Sequence, residues 1–302
     1  MTRPAARMVC PAKINLWLHI DGRRADGYHW LNSGVCFADW GDVLDITPAA
    51  ENSLTVSGAF AASVPLGADN LVFKAAALLE KITGQVWAFK LHLEKNIPVG
   101  AGLGGGSGNA AALLRYGMEH APNYAAAIQA AAVSLGADVP VCLAGEPVRM
   151  LGIGEKLEPL DVPPDMPAVL LFCGQGLATP EVYFTFRQQV PECAALSGLP
   201  KVITHWTPAA AQETRNDLDL AAQHLLPVLK DYTAALQALP GVSCARMSGS
   251  GSALFALFES GAARDKGMET MRARYPELWL QPVYLNRRHA AGQGGFNGAG
   301  LI

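Results

Sequence analysis

The sequence predicts an α+β chain of two packed domains. Its 302 residues exceed one ordinary globular core. Half of them are hydrophobic and 16% charged, the balance of a compact folded chain. The hydrophobic period changes along the chain, from extended stretches before residue 60 to helical spacing from residue 70, and the texture shifts again beyond about residue 150. These changes place an N-terminal domain at 1–155, a C-terminal domain at 156–286 and a Gly- and Ala-rich flexible tail at 287–302.

Val9 to Ile20 is β-rich, and the turn-forming run Asp21 to Gly27 hands over to Tyr28 and His29. Val35 to Phe37, Asp42 to Ile46 and Ser53 to Val56 continue the extended character. From Asn70 to Ile82, the residues Leu71, Ala75, Leu78, Leu79 and Ile82 share one helical face, with Asp69 or Asn70 as cap. Trp87 to Leu93 alternates as a half-buried strand and leads into a glycine-rich segment, after which Ser107 to Glu119 reads as a helix. Alanine-rich Tyr124 to Ser134 predicts another helix, ended by Leu135-Gly136-Ala137-Asp138-Val139-Pro140. Proline-rich Glu158 to Pro167 reads as a crossing segment, Ala168 to Cys173 as a buried strand, and the chain beyond it as helices broken at Pro191, Pro200 and Pro208.

Composition removes several function classes. The net charge of −3 comes from 23 basic and 26 acidic residues without a basic cluster, so nucleic acid is not an expected partner. No apolar run approaches the roughly 20 residues of a membrane span, and Met1 to Met8 lead to Cys10 without the apolar core of a signal peptide. No membrane partner and a cytoplasmic location are expected. The six scattered cysteines form no CxxC pair and no metal-ligand pattern, and read as reduced, mostly buried thiols.

Pro98-Val99-Gly100-Ala101-Gly102-Leu103-Gly104-Gly105-Gly106-Ser107 lies between a predicted strand and a predicted helix. Glycines let a backbone come close to a ligand, and the unpaired N–H groups and dipole at a helix start attract anions. A phosphate chain meets those terms. A Gly-Lys-Ser/Thr P-loop is absent. Gly100, Gly102 and Gly105 satisfy G-x-G-x-x-G, yet the element after the next helix reads as helix and not as the strand a dinucleotide site needs.

Three further pieces stand out. Lys13 and Asn15 lie two apart on a strand and so on one face, which fits either a site or a solvated edge. Asp138 puts one carboxylate among apolar residues at a helix end, and Ser248-Gly249-Ser250-Gly251 is a second glycine-serine turn. In this order, the lysine-bearing strand, PxGxGLGGGS, GADVP and the late Gly-Ser turn resemble the GHMP kinase family over most of the chain. Pro11 to Leu16, Arg24 to His29, Asp69 to Leu71, Gly102 to Ala111 and Leu135 to Val141 narrow the likeness to members acting on a cytidine diphosphate-linked methylerythritol.

That resemblance implies a two-domain GHMP kinase fold with the active site in the interdomain cleft, and an ATP-dependent phosphotransfer to a small-molecule alcohol. Another GHMP kinase, acting on mevalonate, homoserine or a sugar, or a nucleotide-binding protein without turnover, are the alternatives. Asp138 matches the catalytic base and Lys13 the lysine beside it. The nucleotide falls to Asn70, Lys95 and the segment Pro98, Val99, Gly100, Ala101, Gly102, Leu103, Gly104, Gly105, Gly106, Ser107 and Gly108. The substrate side falls to Asn15, Tyr28, His29, Thr179 and Tyr183 together with Asp138, with Tyr28 and His29 matching the cytosine-recognising pair. No fixed protein metal site is implied; Mg²⁺ arrives with ATP, near Ser107. Ala101 stands where the family loop usually has glycine, and Gly108 where it has a second serine.

Overall fold

The computed structural model describes residues 3–25, 27–190 and 203–287. Asp26, Pro191, Pro200 and the expected tail beyond Arg287 lie outside the described residues. Strands β1 (Ala6–Arg23) and β2 (His29–Pro48) form a long antiparallel pair, followed by β3 (Ser53–Ser57), α1 (Leu71–Thr83), β4 (Phe89–Glu94) and α2 (Gly105–His120). Short helices α3 (Ala125–Ala131) and α4 (Val139–Ala144) lead to the hairpin of β5 (Val148–Gly152) and β6 (Lys156–Pro159). The second half runs β7 (Met166–Phe172), α5 (Thr179–Gln189), α6 (Asp219–Leu225), α7 (Val228–Gln237), β8 (Val242–Met247), β9 (Leu254–Phe258), α8 (Gly261–Arg274) and β10 (Trp279–Leu285).

Three differences from the sequence reading have physical causes. The separate extended stretches between His29 and Ile46 are one strand, because bulges in β1 after Pro11, Asn15 and Ile20 absorb the irregular register without breaking the pair. The expected helix Tyr124 to Ser134 is α3 flanked by 3₁₀ turns at Pro122–Tyr124 and Ala132–Leu135. The expected boundary at residue 155 falls inside a hairpin: β6 turns back on β5, with the Glu155 carboxylate accepting from Ile153 N–H, so the first sheet runs to Pro159.

The strand order β3-β4-β2-β10-β7-β9-β8 joins the halves at the single pair Leu285 and Ala38. The first core lies under α1 and α2, where Leu79, Leu113 and Tyr116 pack on Leu44, Ile46, Phe89 and Leu91. Asn70 caps α1 by accepting from Val72 N–H at 3.0 Å. A second core packs Ile14, Leu16 and Trp17 of β1 against Leu170, Phe172, Phe255 and Leu257. Alternate residues of the same strands, Val169, Leu171, Leu254 and Ala256, face a third core beneath the later helices. Burial on both faces explains why β7 and β9 read as unbroken apolar runs. β1 thus serves both halves, and this holds its lysine at the junction between them.

Among the described residues no helix is long and apolar enough to cross a membrane. The described cysteines Cys10, Cys36, Cys142, Cys173 and Cys244 are free thiols.

The long hairpin depends on a close contact: a Cβ at Gly34 would lie 1.9 Å from the Trp17 ring. Gly34→Ala is expected to cost about 1–3 kcal/mol through overpacking. The check is urea denaturation, where the midpoint should fall with an unchanged slope.

Candidate active site

The glycine segment hangs from its carbonyls. Gly100 O accepts from Leu177 N–H (3.2 Å), Ala101 O from Ala253 N–H (2.9 Å) and Leu103 O from Lys13 N–H (2.9 Å), while Gly102 O accepts from the Ser248 hydroxyl (3.2 Å). Among the described residues, no N–H from Gly100 to Ser107 has a partner. The φ angle is positive at Gly100, Gly102 and Gly104 and at neither Ala101 nor Leu103. Carbonyls turned into the protein, with amides left over at the start of α2, make an anion cradle.

Behind this cradle sits a charge cluster inside the protein. Asp42, fully buried, accepts from Asn96 N–H and Ile97 N–H at 2.8 Å each and pairs with Lys95 Nζ at 2.5 Å. The Asn109 amide, turned to suit its neighbours, donates to Asp42 Oδ2 at 3.1 Å and to Gly105 O at 3.0 Å. Burial disfavours the charged form of Lys95, and the adjacent Asp42 carboxylate works to retain it. The strand end, the loop entry and the first turn of α2 are thereby tied to one carboxylate.

Lys13 and Asp138 meet in front of the loop. Lys13, buried, places Nζ 2.9 Å from Asp138 Oδ2 and 2.7 Å from Asn15 Oδ1. Asn15 is fixed in turn, its Nδ2 donating to Ser33 Oγ at 2.8 Å and its N–H to Ser248 Oγ at 3.1 Å. Asp138 precedes α4 and remains about one-third exposed. Its carboxylate faces the cavity.

That cavity, of about 860 Å³, is lined by Lys13, Asn15, Gly102, Ser107 and Asp138 and also by Tyr28, His29, Tyr183 and Arg187, with Thr179 and Ser250 among its other wall residues. His29 stacks on Tyr183 (5.2 Å between centroids) and meets the edge of Phe186 (6.0 Å). Its Nε2 is buried without a partner among the described residues. Burial, then the Arg187 and Arg23 guanidinium charges, push the imidazole below its usual range, so it is neutral near pH 7. Burial raises the Tyr183 phenol, with Asp138 adding to the effect. Thr179 Oγ1 lies 2.8 Å from Ser250 Oγ.

The structure therefore gathers Lys13, Asn15, Tyr28, His29, Ser107, Asp138, Thr179 and Tyr183 around one space. Two residues expected at the nucleotide have their side chains engaged behind the loop. Lys95 is buried against Asp42, and the Asn70 amide bonds Val72 N–H and Pro65 O, so both side chains serve the frame behind the loop. Pro98 is buried, while Val99 and Gly100 are exposed. Sequence reasoning missed Asp42, Asn109 and Arg187. Strand parity could have flagged the first, since Asp42 falls on the same face as buried Leu44 and Ile46. Helical spacing from Thr179 and Tyr183 points to Arg187.

Removing one member of a buried pair strands the other charge. Asp42→Ala should cost about 3–5 kcal/mol, measured by chemical denaturation, and Asp42→Leu combined with Lys95→Met should recover much of that loss.

Residues 70–146 match the model for the GHMP kinases N terminal domain and residues 208–277 that for the GHMP kinases C terminal domain. A 4-diphosphocytidyl-2-C-methyl-D-erythritol kinase of Dinoroseobacter shibae is 45% identical over 288 residues, covering 94% of this chain and 96% of that protein. A crystal structure of a 4-(cytidine 5'-diphospho)-2C-methyl-D-erythritol kinase superposes with a TM-score of 0.74 at 35% identity, over 93% of this chain and 99% of the other. The homoserine kinase of Cytophaga hutchinsonii, at 16% identity and a TM-score of 0.63 over 93% of this chain and 95% of its own, shares the fold. The chain belongs to the GHMP kinase family, with the two-domain fold of that family and with 4-diphosphocytidyl-2-C-methyl-D-erythritol kinases among its relatives.

Proposed function

We propose that the protein transfers the terminal phosphoryl group of ATP to the 2-hydroxyl of 4-diphosphocytidyl-2-C-methyl-D-erythritol, a step of non-mevalonate isoprenoid precursor synthesis. The observation that carries this reading is a single cavity lined both by the Lys13–Asp138 pair with the amide cradle and by an aromatic group whose His29 Nε2 is unpartnered among the described residues. Relatives bearing that activity in their names cover nearly the whole chain.

The residues fit a triphosphate at the cradle. The unpaired amides from Gly100 to Ser107 supply donors, and the α2 N-terminus supplies a favourable dipole. A magnesium ion carried by the nucleotide would neutralise charge between its phosphates, and the Ser107 hydroxyl, which lines the cavity, would be available to it. Asp138 accepts the proton of the attacking hydroxyl as the new P–O bond forms and the bond to the leaving ADP oxygen breaks. Lys13 Nζ, beside that carboxylate, orients it and offers positive charge to the transferred group. Asn15 and Ser33 prevent Lys13 from swinging away.

Tyr28, more than half exposed, and Tyr183 offer rings to stack on a pyrimidine. Neutral His29 carries one donor and one acceptor, matching the mixed edge of cytosine. Together they support a cytidine end.

Asp138→Asn should lower kcat by about 10²–10⁴ while leaving ATP affinity largely intact, read by coupled ADP release and by nucleotide titration; unchanged turnover would remove Asp138 from the reaction. In the same assay the cytidine diphosphate compound should be preferred over mevalonate and homoserine. Preference for either of these would overturn the substrate while keeping the kinase class.

A further inference from the structure

The proposed substrate carries a diphosphate between its nucleoside and the alcohol that is phosphorylated, and that charge needs a partner on the protein. The nucleoside end is assigned to Tyr28, His29 and Tyr183, and the alcohol end to Asp138, so the diphosphate must lie along the wall between them. The cavity lining holds two permanent cations, Lys13 and Arg187, and among the described residues one carboxylate, Asp138. Lys13 is already paired with that carboxylate. Without Arg187 the lining side chains would carry no net charge to receive a dianion, and Arg23, whose charge also reaches His29, is not among them. Arg187 is the cation left over.

Its placement agrees with the task. Thr179, Tyr183 and Arg187 follow at intervals of four on α5 and all line the cavity. Long helical side chains lean towards the helix N-terminus, which carries the Arg187 head back by about one turn, to the level of Tyr183 and Phe184. The guanidinium rests on the exposed Phe184 ring, its Cζ 5.7 Å from the centroid. Among the described residues no carboxylate pairs with it. A guanidinium beside a ring, with its forked donors unspent, suits a phosphate better than an ammonium would. Arg187 also lies near enough to His29 for its charge to add to burial in holding the imidazole below its usual range.

Resting on the functional reading above, we infer that Arg187 binds the diphosphate of the substrate and so distinguishes a nucleoside diphosphate ester from an uncharged nucleoside. It is a substrate-binding residue and takes no part in proton transfer.

The test is titration of the full chain with CDP and with cytidine, for the unaltered protein, Arg187→Gln and Arg187→Lys, alongside steady-state kinetics. Arg187→Gln should weaken CDP about 10- to 100-fold, the range of a charge-assisted hydrogen bond, and change cytidine less than about twofold. KM for the phosphate acceptor should rise with kcat and the KM for ATP unchanged, the pattern of lost uniform binding. Arg187→Lys should restore part of the CDP affinity, and added salt should weaken CDP more in the unaltered protein than in Arg187→Gln. Equal loss for CDP and cytidine would place Arg187 on the base and overturn the inference, as would CDP affinity that does not change. If the unaltered protein binds neither CDP nor cytidine, the functional reading itself fails and takes this inference with it.

Discussion

The four carbonyls from Gly100 to Leu103 are all spoken for, and the rest of the site depends on that constraint. A backbone that satisfies its acceptors on one side has its donors on the other. The partners come from four separate places: Lys13 on β1, Ser248 after β8, Ala253 before β9, and Leu177 ahead of α5. Both halves of the molecule therefore grip the same loop. The bond from Lys13 N–H to Leu103 O serves twice, because it fixes the cradle and the base of the lysine whose ammonium meets Asp138 2.9 Å away.

Asp42 extends the same logic inward. A buried ion pair is poor evidence of net stability, because desolvation of both charges offsets their attraction. What Asp42 does supply is geometry: its two oxygens receive two consecutive backbone amides, a lysine and an asparagine, three of these donors just after β4 and one on α2. The strand end cannot rotate without breaking several of these bonds. A buried ammonium at the start of a helix is opposed by the helix dipole, and the Asp42 carboxylate is what makes that placement tolerable.

Much of this was legible from residue order, and the remainder fails for identifiable reasons. The α1 cap at Asn70, the buried β7 run and the glycine segment at a strand-to-helix junction are local patterns, each decided by neighbours within a few residues. The contact of Lys13 with Asp138 spans 125 positions and is fixed only once β1 and α4 pack on α2; family likeness, not spacing, pointed to it. Lys95 shows what likeness leaves open. The resemblance places it near the nucleotide, and only the three-dimensional placement of Asp42 reveals that its head is turned inward. Arg187 was hidden because an arginine on an amphipathic helix ordinarily reads as a solvated residue, and the cavity that it faces is closed by distant segments.

The loop's departures from the family pattern follow from where the glycine requirement acts. Gly102 has φ +76°, and a Cβ there would sit 2.5 Å from Ser248 O and 2.9 Å from Gly251 O, so both conformation and space exclude a side chain. At Gly105 the obstacle is Lys95 Nζ, 2.6 Å from the Cβ position, which ties the first residue of α2 to the buried pair behind it. Ala101 meets neither restriction: its φ is not positive, and its buried methyl fills the second core. Gly108 has only ordinary contacts, 3.7 Å to Cys10 Cβ and 3.8 Å to Pro11 O, so glycine or serine fits there. The variable positions are those where the loop touches nothing that a methyl group would displace, and the cradle keeps its path because Gly102 and Gly105 are held by backbone and by charge.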